Sequence, residues 1–520
     1  MKRLSTVVLL FSLVVAVPVT ASPGASLEDR SVSELRSMVV EGKITSVALV
    51  RYFLDRIAAH DRELRAVLAV DPTALAQAEA LDAELAADGP RGPLHGIPVL
   101  LKDNIETRSQ PTTAGSLALK ANDTGRDAPL VARLREAGAV ILGKTNLSEW
   151  ANFRSERSSS GWSAIGGQTR NPFDPTRSPC GSSSGSGVAV AAGLVPLAVG
   201  TETNGSVVCP ASANGVVGIK PTVGLVSRTH IVPISHSQDT AGPMARSVAD
   251  AVVLLEAMSG PDEADPATFR AEGKHDRDLT ARLEGAELEG KRIGVVRSSA
   301  GFHSEVDELL EKALETLRDA GAEIVDELAL ERPEGFSQAT YDLLLYEFKH
   351  DLNAYLADLP DERLSSLTLE TLIAFNREHA AREMPWFGQE IFEKAQEKGP
   401  LTEEAYREAL ALVRKATRND GIDALLTKHE LDALVAPTGA PAWKIDLING
   451  DHFIGGSSTF PAVAGYPNVT VPMGDVHGMP VGLSFFGPSF SEPALAEIAH
   501  AYEEIRDWEP PDVVTEVENR

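Results

Sequence analysis

Residues 180–211 constrain the fold of this 520-residue chain more than any other stretch. Two small polar loops rich in glycine and serine, residues 181–187 and 200–206, flank a segment at 188–199 that has no charged or polar side chain. A flexible linker stays polar to remain solvated, so this pattern predicts a buried helix or strand with tight turns at its ends. Buried hydroxyls beside glycines are also what acyl-transfer chemistry requires. The stretch alone fits either a structural turn or an active site.

The composition is that of an acidic protein with a large core. Hydrophobic residues make up 43% of the chain, and 75 acidic against 48 basic residues give a formal net charge of −27. A chain of this length and apolar content can bury a large core. Nucleic acids and anionic membranes bind basic patches, so the negative charge disfavours both as partners. The charge suits a soluble, self-repelling enzyme, exported or cytoplasmic, and we expect a monomer or homodimer.

Residues 1–21 have the layout of a secretory signal peptide. Lys2 and Arg3 give a positive start, residues 7–19 are almost entirely apolar, and small residues lead to a cleavage point before Ser22. A membrane span would need about 20 apolar residues. We therefore expect export to the periplasm or the medium, with no membrane attachment once the signal is removed.

The cysteine content argues against a disulfide framework. The sequence has two cysteines, Cys180 and Cys209, one near each end of the stretch at 180–211. An exported protein of this size with so few cysteines does not depend on disulfides for its fold. The two side chains could form one bridge, but two buried thiols that pack beside the site are the favoured interpretation.

Strand and helix patterns alternate along the chain and predict an α/β fold. Short apolar runs predict strands at 99–101, 139–142, 216–219, 292–296, 323–325, 433–437, 468–473 and 481–485. Helical periodicity covers 32–70 (two helices), 74–87, 128–136, 247–258, 304–320 and 493–506. This order predicts a large mixed, mostly parallel central sheet covered by helices on both faces.

One domain accounts for most of the chain. We assign residues 22–506 to it, with a helical subdomain at 338–418 whose aromatic side chains either pack the core or form a wall or lid over the substrate. Residues 154–179 are rich in Ser, Gly, Asn and Pro and predict a long loop that wraps the site. Residues 507–520 form an acidic tail that we expect to be frayed.

Two common active-site motifs are matched only formally, and metal-ligand spacing is lacking. Residues 181–185 fit the Gly-x-Ser-x-Gly elbow, which would make Ser183 a nucleophile, but residues 171–179 do not form the strand that the elbow needs. Residues 138–145 fit a phosphate-binding loop, but their spacer is an apolar strand. The histidines and cysteines lack metal-ligand spacing. We expect no metal and no cofactor.

Lys102 follows directly after the apolar strand at 99–101. Active groups of α/β proteins cluster at the carboxyl ends of strands. A lysine that emerges from a buried strand is either paired with a carboxylate, here Asp103, or serves as a functional base. The strand pattern alone leaves both roles open.

Several segments together resemble the amidase signature family. They are residues 101–103, 112–116, 143–146, 181–187, 200–211, 218–222, 436–438 and 468–472. The resemblance spans roughly residues 32–506 and implies the amidase signature fold with a helical insertion. It implies an amide hydrolase that works without a cofactor through an acyl-enzyme, with peptide C-terminal amides or small carboxamides as substrates. It also implies that Ser206 is the acyl nucleophile, Ser182 a bridging serine with a cis peptide bond, and Lys102 the base. The implied oxyanion hole consists of backbone N–H groups of Thr203, Asn204, Gly205 and Ser206.

The chain departs from the family pattern at Cys180, Asn204 and Val208, where the family usually has Gly, Gly or Ala, and Arg. Within the family, residues 200–211 and 346–349 most resemble exported bacterial peptide amidases, which hydrolyse C-terminal amides of peptides. One rival is the amidotransferase subunit for tRNA-linked Glu or Asp, which would need partner chains in the cytoplasm. The other is a catalytically inactive binding relative, which the presence of all three catalytic residues disfavours.

Overall fold

A computed structural model describes residues 26–274 and 278–514. The predicted signal peptide at 1–21 and the last six residues of the predicted tail lie outside the described residues. Within them, no helix has the length and apolar content needed to cross a membrane.

The described strands form one large sheet and one small hairpin. The large sheet has the order β1-β3-β2-β6-β8-β7-β12-β13-β11-β9-β10, and β4 pairs with β5. The strands are β1 (Val67–Val70), β2 (Pro98–Lys102), β3 (Val140–Thr145), β4 (Trp162–Ser163), β5 (Gly167–Gln168), β6 (Leu197–Glu202), β7 (Val217–Lys220), β8 (Thr240–Ala245), β9 (Arg292–Val296), β10 (Glu323–Leu328), β11 (Ala433–Pro437), β12 (Asn468–Val476) and β13 (Met479–Phe486).

The sheet is mixed, as predicted, but antiparallel pairs dominate its centre. Strand β2 is parallel to β3 and β6, and β9 is parallel to β10 and β11. The other pairs of the large sheet are antiparallel. The expectation of a mostly parallel sheet was wrong for two reasons. The predicted strands β7, β11, β12 and β13 pair antiparallel with one another, and β8, which contains Gly242 and Pro243, carries no strand signal. It lies between β6 and β7 and runs opposite to both.

Helices surround the sheet. Every residue of β2, β3, β6, β7, β8, β11 and β13 is buried, and because side chains alternate between faces, both faces must be covered. The helices are α1 (Val32–Val40), α2 (Ser46–Leu64), α3 (Ala74–Asp88), α4 (Pro129–Glu136), α5 (Ser184–Ala191), α6 (Val208–Ala213), α7 (Val248–Met258), α8 (Leu279–Arg282), α9 (Ser304–Asp319), α10 (Phe336–Ala357), α11 (Glu362–Ser365), α12 (Leu369–Glu378), α13 (Ala380–Glu383), α14 (Glu390–Gln396), α15 (Glu404–Arg414), α16 (Asp423–His429), α17 (Thr459–Ala464) and α18 (Glu492–Ile505).

Two local predictions needed correction. The second helix predicted within 32–70 ends at Leu64 and is followed by strand β1, because Arg65 adopts a left-handed conformation with φ of 53°. The Asp61 carboxylate accepts hydrogen bonds from the N–H groups of Ala66 and Val67 and so fixes this turn. The buried segment at 188–199 is divided between the end of α5 and the start of β6.

The region predicted as a helical subdomain consists of α10 to α15 and a π-helical turn at Lys415–Ile422. Residues 507–514, the described part of the predicted tail, form no helix or strand. Val514 N–H donates to the Pro172 carbonyl (2.9 Å), and Val513 packs against the core.

Candidate active site

The predicted site residues lie at one edge of the sheet, beside the carboxyl ends of two neighbouring parallel strands. Strand β2 ends at Lys102 and β6 ends at Glu202, and the two strands pair in parallel register. Their carboxyl ends therefore meet, as active groups do in α/β sheets. The loop before α5 reaches the same place, because Ser183 N–H donates to the Ser206 carbonyl (3.1 Å). The structure thus brings together the three predicted catalytic segments.

Lys102 is fully buried and has three polar neighbours. Its Nζ lies 2.8 Å from Ser182 Oγ, 2.8 Å from Thr201 Oγ1 and 3.1 Å from the Thr201 carbonyl oxygen. A neutral amine has two hydrogens and one lone pair. If the hydrogens are donated to the two Thr201 oxygens, the lone pair faces the Ser182 hydroxyl and can accept its proton.

Burial lowers the pKa of Lys102 to about 7, although the carboxylates of Asp239 and Glu202 act in the opposite direction. Desolvation disfavours the charged ammonium form, which explains the direction. The alternative role, an ion pair with Asp103, does not occur. Asp103 Oδ1 instead lies 3.7 Å from Nζ of another buried lysine, Lys144, and Lys102 has no ion pair among the described residues.

Ser182 and Ser183, neighbours in the first serine-rich loop, make different contacts. The predicted cis peptide bond is present between Gly181 and Ser182. The Ser182 carbonyl accepts a hydrogen bond from Ser148 N–H (3.0 Å), and the Ser182 hydroxyl contacts Lys102 Nζ. Ser183 Oγ contacts both the N–H and the carbonyl of Thr201 at 3.1 Å and is fully buried. Ser183 therefore ties the loop to β6, in agreement with the rejection of the elbow motif.

A buried carboxylate organises the second loop. Glu202 accepts hydrogen bonds from the N–H groups of Gly205 (2.8 Å), Val207 (2.8 Å) and Val208 (3.1 Å). These bonds curl the backbone around the carboxylate and hold Ser206 at the turn. Gly205 has φ of 83°, a conformation that favours glycine.

The donors available to an oxyanion differ in one respect from the prediction. The N–H of Gly205, one of the four predicted donors, is bonded to the Glu202 carboxylate. Within residues 26–274 and 278–514, the N–H groups of Thr203, Asn204 and Ser206 have no acceptor. These three groups remain free to stabilise a developing negative charge.

Cys180 and Cys209 form a disulfide bond, with their Cα atoms 6.0 Å apart. The preference for two buried thiols was therefore wrong. The bridge joins the residue before the Gly181–Ser182 bond to the helix that follows Ser206, and both cysteines line the cavity at Ser206. It therefore connects the two loops that carry the serines. No sequence signal distinguished a bridge from two thiols.

Loss of this disulfide should loosen both loops. For cysteines 29 positions apart, the chain-entropy model gives a contribution of about 3.6 kcal/mol to stability. We expect Cys180→Ala/Cys209→Ala to lower the free energy of unfolding in urea by about that amount and to reduce kcat. Reduction of the native enzyme should have the same effect, and the double variant should not respond to reductant. Unchanged unfolding and activity would contradict this role.

Ser206 opens into a cavity of about 400 Å³, which we call the first cavity. Its floor comes from the two loops, and its walls include Asn152, Ser160, Leu344, Trp443, Asp451, Phe453 and Ser458. Sequence reasoning missed most of these walls, because they come from separate segments without a motif. Leu344 belongs to α10, so part of the helical region does form a wall of the cavity.

Among the described residues, two groups of His and acidic side chains could hold a metal ion, each with three ligand atoms within 4.8 Å of one another. One is His236, His350 and Asp351, and the other is His500, Glu503 and Glu504. Neither group includes Lys102, Ser182 or Ser206.

Comparison with known proteins agrees with this geometry. A family model described as Amidase matches residues 48–496. A probable amidase from Arabidopsis thaliana is 42% identical over 510 residues, covering 95% of this chain and 94% of the relative. The solved structure of the native peptide amidase from Stenotrophomonas maltophilia is 51% identical, with a TM-score of 0.89 over 93% of this chain and 99% of that one. A glutamyl-tRNA(Gln) amidotransferase subunit from Thermotoga maritima is 27% identical, with a TM-score of 0.71 over 95% of this chain and 99% of that one.

Proposed function

This chain belongs to the amidase signature family and is an amide hydrolase, and on that basis we propose that Ser206, Ser182 and Lys102 form its catalytic triad. One observation carries the proposal. Lys102 is a buried lysine without an ion pair among the described residues, and its Nζ lies within hydrogen-bonding distance of Ser182 Oγ, in the loop that touches the Ser206 backbone. That is the environment of a neutral base rather than of a structural cation.

The reaction proceeds through an acyl-enzyme. Neutral Lys102 accepts the Ser182 proton while Ser182 Oγ takes the proton of Ser206, whose Oγ forms a bond to the amide carbon. The negative charge on the carbonyl oxygen is stabilised by free N–H groups of the second loop, with Thr203 and Asn204 as donors. Ser182 then protonates the leaving nitrogen and recovers a proton from Lys102 as the C–N bond breaks. Water attacks the acyl-enzyme by the same proton path and releases the acid.

The pH dependence follows from the state of Lys102. Only its neutral form can accept a proton, and burial lowers its pKa to about 7. We therefore expect kcat/KM to rise as the pH increases through about 7 and to level off above pH 8. Hydrolysis rates measured from pH 5.5 to 9.5 at subsaturating substrate test this. A rise centred near the ordinary lysine pKa of about 10.4 would contradict a base tuned by burial.

We propose that the substrates are C-terminal amides of peptides. Support comes from the 51% identity to a peptide amidase over nearly the whole chain and from the first cavity, which is large enough for one or two residues. The amidotransferase alternative is less well supported because identity to the amidotransferase chain is lower. The inactive relative is less well supported because Lys102 Nζ contacts Ser182 Oγ and the next residue, Ser183, donates its N–H to the Ser206 carbonyl.

A substrate panel tests this proposal. We expect an N-acylated dipeptide amide to lose ammonia at least tenfold faster, by kcat/KM, than free glutamine does, with its internal peptide bond intact. Ammonia release and mass spectrometry of the products report both events. Preference for free glutamine would favour the amidotransferase alternative, and no hydrolysis of any amide would favour the inactive relative.

We also propose that the protein is exported. The signal-like pattern at residues 1–21 supports this, and the Cys180–Cys209 bridge suits an oxidising compartment. Expression of the full chain in a bacterial host should yield a periplasmic or secreted protein whose first residue is Ser22. A cytoplasmic product that retains residues 1–21 would contradict export.

A further inference from the structure

A second cavity of about 380 Å³ adjoins the first one. Ala151 and Thr203 line both cavities, so the two spaces meet beside the loop that carries Ser206. Its other walls come from residues 201–202, 228–240 and 264–266, from Asn104, and from α10 with its neighbour Asp358. The lining residues of α10 are Asp351, Ala354 and Tyr355. The proposed mechanism places no part of the substrate in this space.

The walls of the second cavity are strongly acidic. They include five carboxylates, two imidazoles (His230 and His236) and a single guanidinium, that of Arg228, which is paired with Asp265. His236 also contacts Asp351, and Arg126 contacts Asp358, so the carboxylates outnumber the cationic groups around the cavity. The carboxylates are those of Glu202, Asp239, Asp265, Asp351 and Asp358. Burial raises the pKa of Asp239 to about 6, so this carboxyl group is ionised at pH 8. Such a space attracts a cation and repels an anion.

A second observation points to a ligand. Asn104 lines this cavity and is 3% exposed, and its Nδ2 donates to Thr201 Oγ1 (2.9 Å). Its carboxamide oxygen is buried and has no hydrogen-bond donor among the described residues. A buried polar atom without a partner is uncommon in folded proteins, and a ligand that donates a hydrogen bond would satisfy it. An alkylammonium or guanidinium group supplies both the donor and the positive charge.

We propose that the second cavity binds a cationic group of the substrate, so that the enzyme prefers amides that carry one. This inference rests on the proposed function, because it concerns substrates cleaved at Ser206. The cation can belong to a side chain in the acyl part or to the leaving amine. Both sources share the same chemistry, and matched substrates distinguish them.

The first arm compares peptide amides that differ only in one lysine or norleucine, placed at the last or the penultimate position. The second compares secondary amides with an aminobutyl or a pentyl group on the leaving nitrogen. We expect kcat/KM to be about tenfold or more higher for the cationic member of one pair at pH 8 and low salt. If the peptide amides show the higher rate for the cationic member, the acyl part of the substrate enters the second cavity. If the secondary amides show it, the leaving amine does.

Two variants test whether the cavity causes the preference. Ala354 is exposed at the edge of the cavity, so Ala354→Lys adds a positive charge there without disturbing the core. Asp351→Asn removes one negative charge. We expect either change to reduce the preference at least threefold, with hydrolysis of the neutral substrate nearly unchanged. The matched controls are Ala357→Lys and Asp342→Asn, on the same helix but outside the cavity, and they should keep the preference.

The outcomes separate this inference from the proposed function. Equal rates for the cationic and neutral members in both arms would overturn the cationic site while leaving the amidase activity intact. A preference that survives in Ala354→Lys and Asp351→Asn would also overturn it. Failure to hydrolyse any member of either arm would instead contradict the proposed function.

Discussion

Ser206→Ala should abolish amide hydrolysis, lowering kcat by roughly four to six orders of magnitude. The substitution removes the oxygen that attacks the carbonyl carbon, and the free N–H groups nearby can then only polarise the substrate. The fold should survive, because no hydrogen bond to Ser206 Oγ is present among the described residues and the turn is held by Glu202. Ammonia release measured with a large excess of enzyme gives the residual rate.

Ser183→Ala is the matched control for this experiment. Ser183 is the serine that the elbow motif would select, but its hydroxyl is bonded to the backbone of Thr201. We expect its loss to reduce stability by about 1 kcal/mol and activity by less than about tenfold. If Ser183→Ala is inactive while Ser206→Ala retains near-native rates, the nucleophile has been assigned to the wrong serine.

Lys102→Met should lower kcat/KM by roughly two to four orders of magnitude, the usual contribution of a general base. Methionine has a similar length and suits a buried site, so the loops should keep their positions. The measurement compares hydrolysis rates and urea unfolding of the variant and the native enzyme. A variant that unfolds readily would not test the base, so its urea midpoint must stay close to that of the native enzyme.

Lys102→Arg tests whether the charge or the lone pair of Lys102 is needed. Arginine stays charged throughout the accessible pH range and cannot accept a proton. We therefore expect this variant to be as inactive as Lys102→Met, and neither variant should show the rise in rate near pH 7. Substantial activity in Lys102→Arg would mean that the site needs a cation rather than a base.

Local patterns were sufficient for the elements that carry the site. The apolar run at 99–101 predicts that Lys102 lies at the end of a strand. The loops at 181–187 and 200–206 are assigned to one site only through the resemblance to the amidase signature family. Local pattern was likewise sufficient for the formal phosphate-binding match at 138–145, where residues 140–145 form strand β3 rather than a loop. These features depend on residues that are neighbours in sequence, where periodicity and turn chemistry dominate.

Other features depend on tertiary contacts and could not be predicted in the same way. Strand β8 is specified by its pairing with β6 and β7 and not by its own residues, two of which are Gly242 and Pro243. The bond from Gly205 N–H to Glu202 and the Cys180–Cys209 bridge both depend on how the loops fold back. The cavity walls come from segments hundreds of residues apart, and no local pattern links them.

The central claim is that Ser206 is the nucleophile, and covalent labelling tests it most directly. A fluorophosphonate reacts with an activated serine and forms a stable adduct that mimics the tetrahedral state. We expect one label per chain, loss of activity in parallel with labelling, and the mass increase on the peptide that contains Ser206. Ser183→Ala should label normally, and Ser206→Ala should not label. Inactivation with the adduct on Ser182, Ser183 or any residue other than Ser206 would contradict the account.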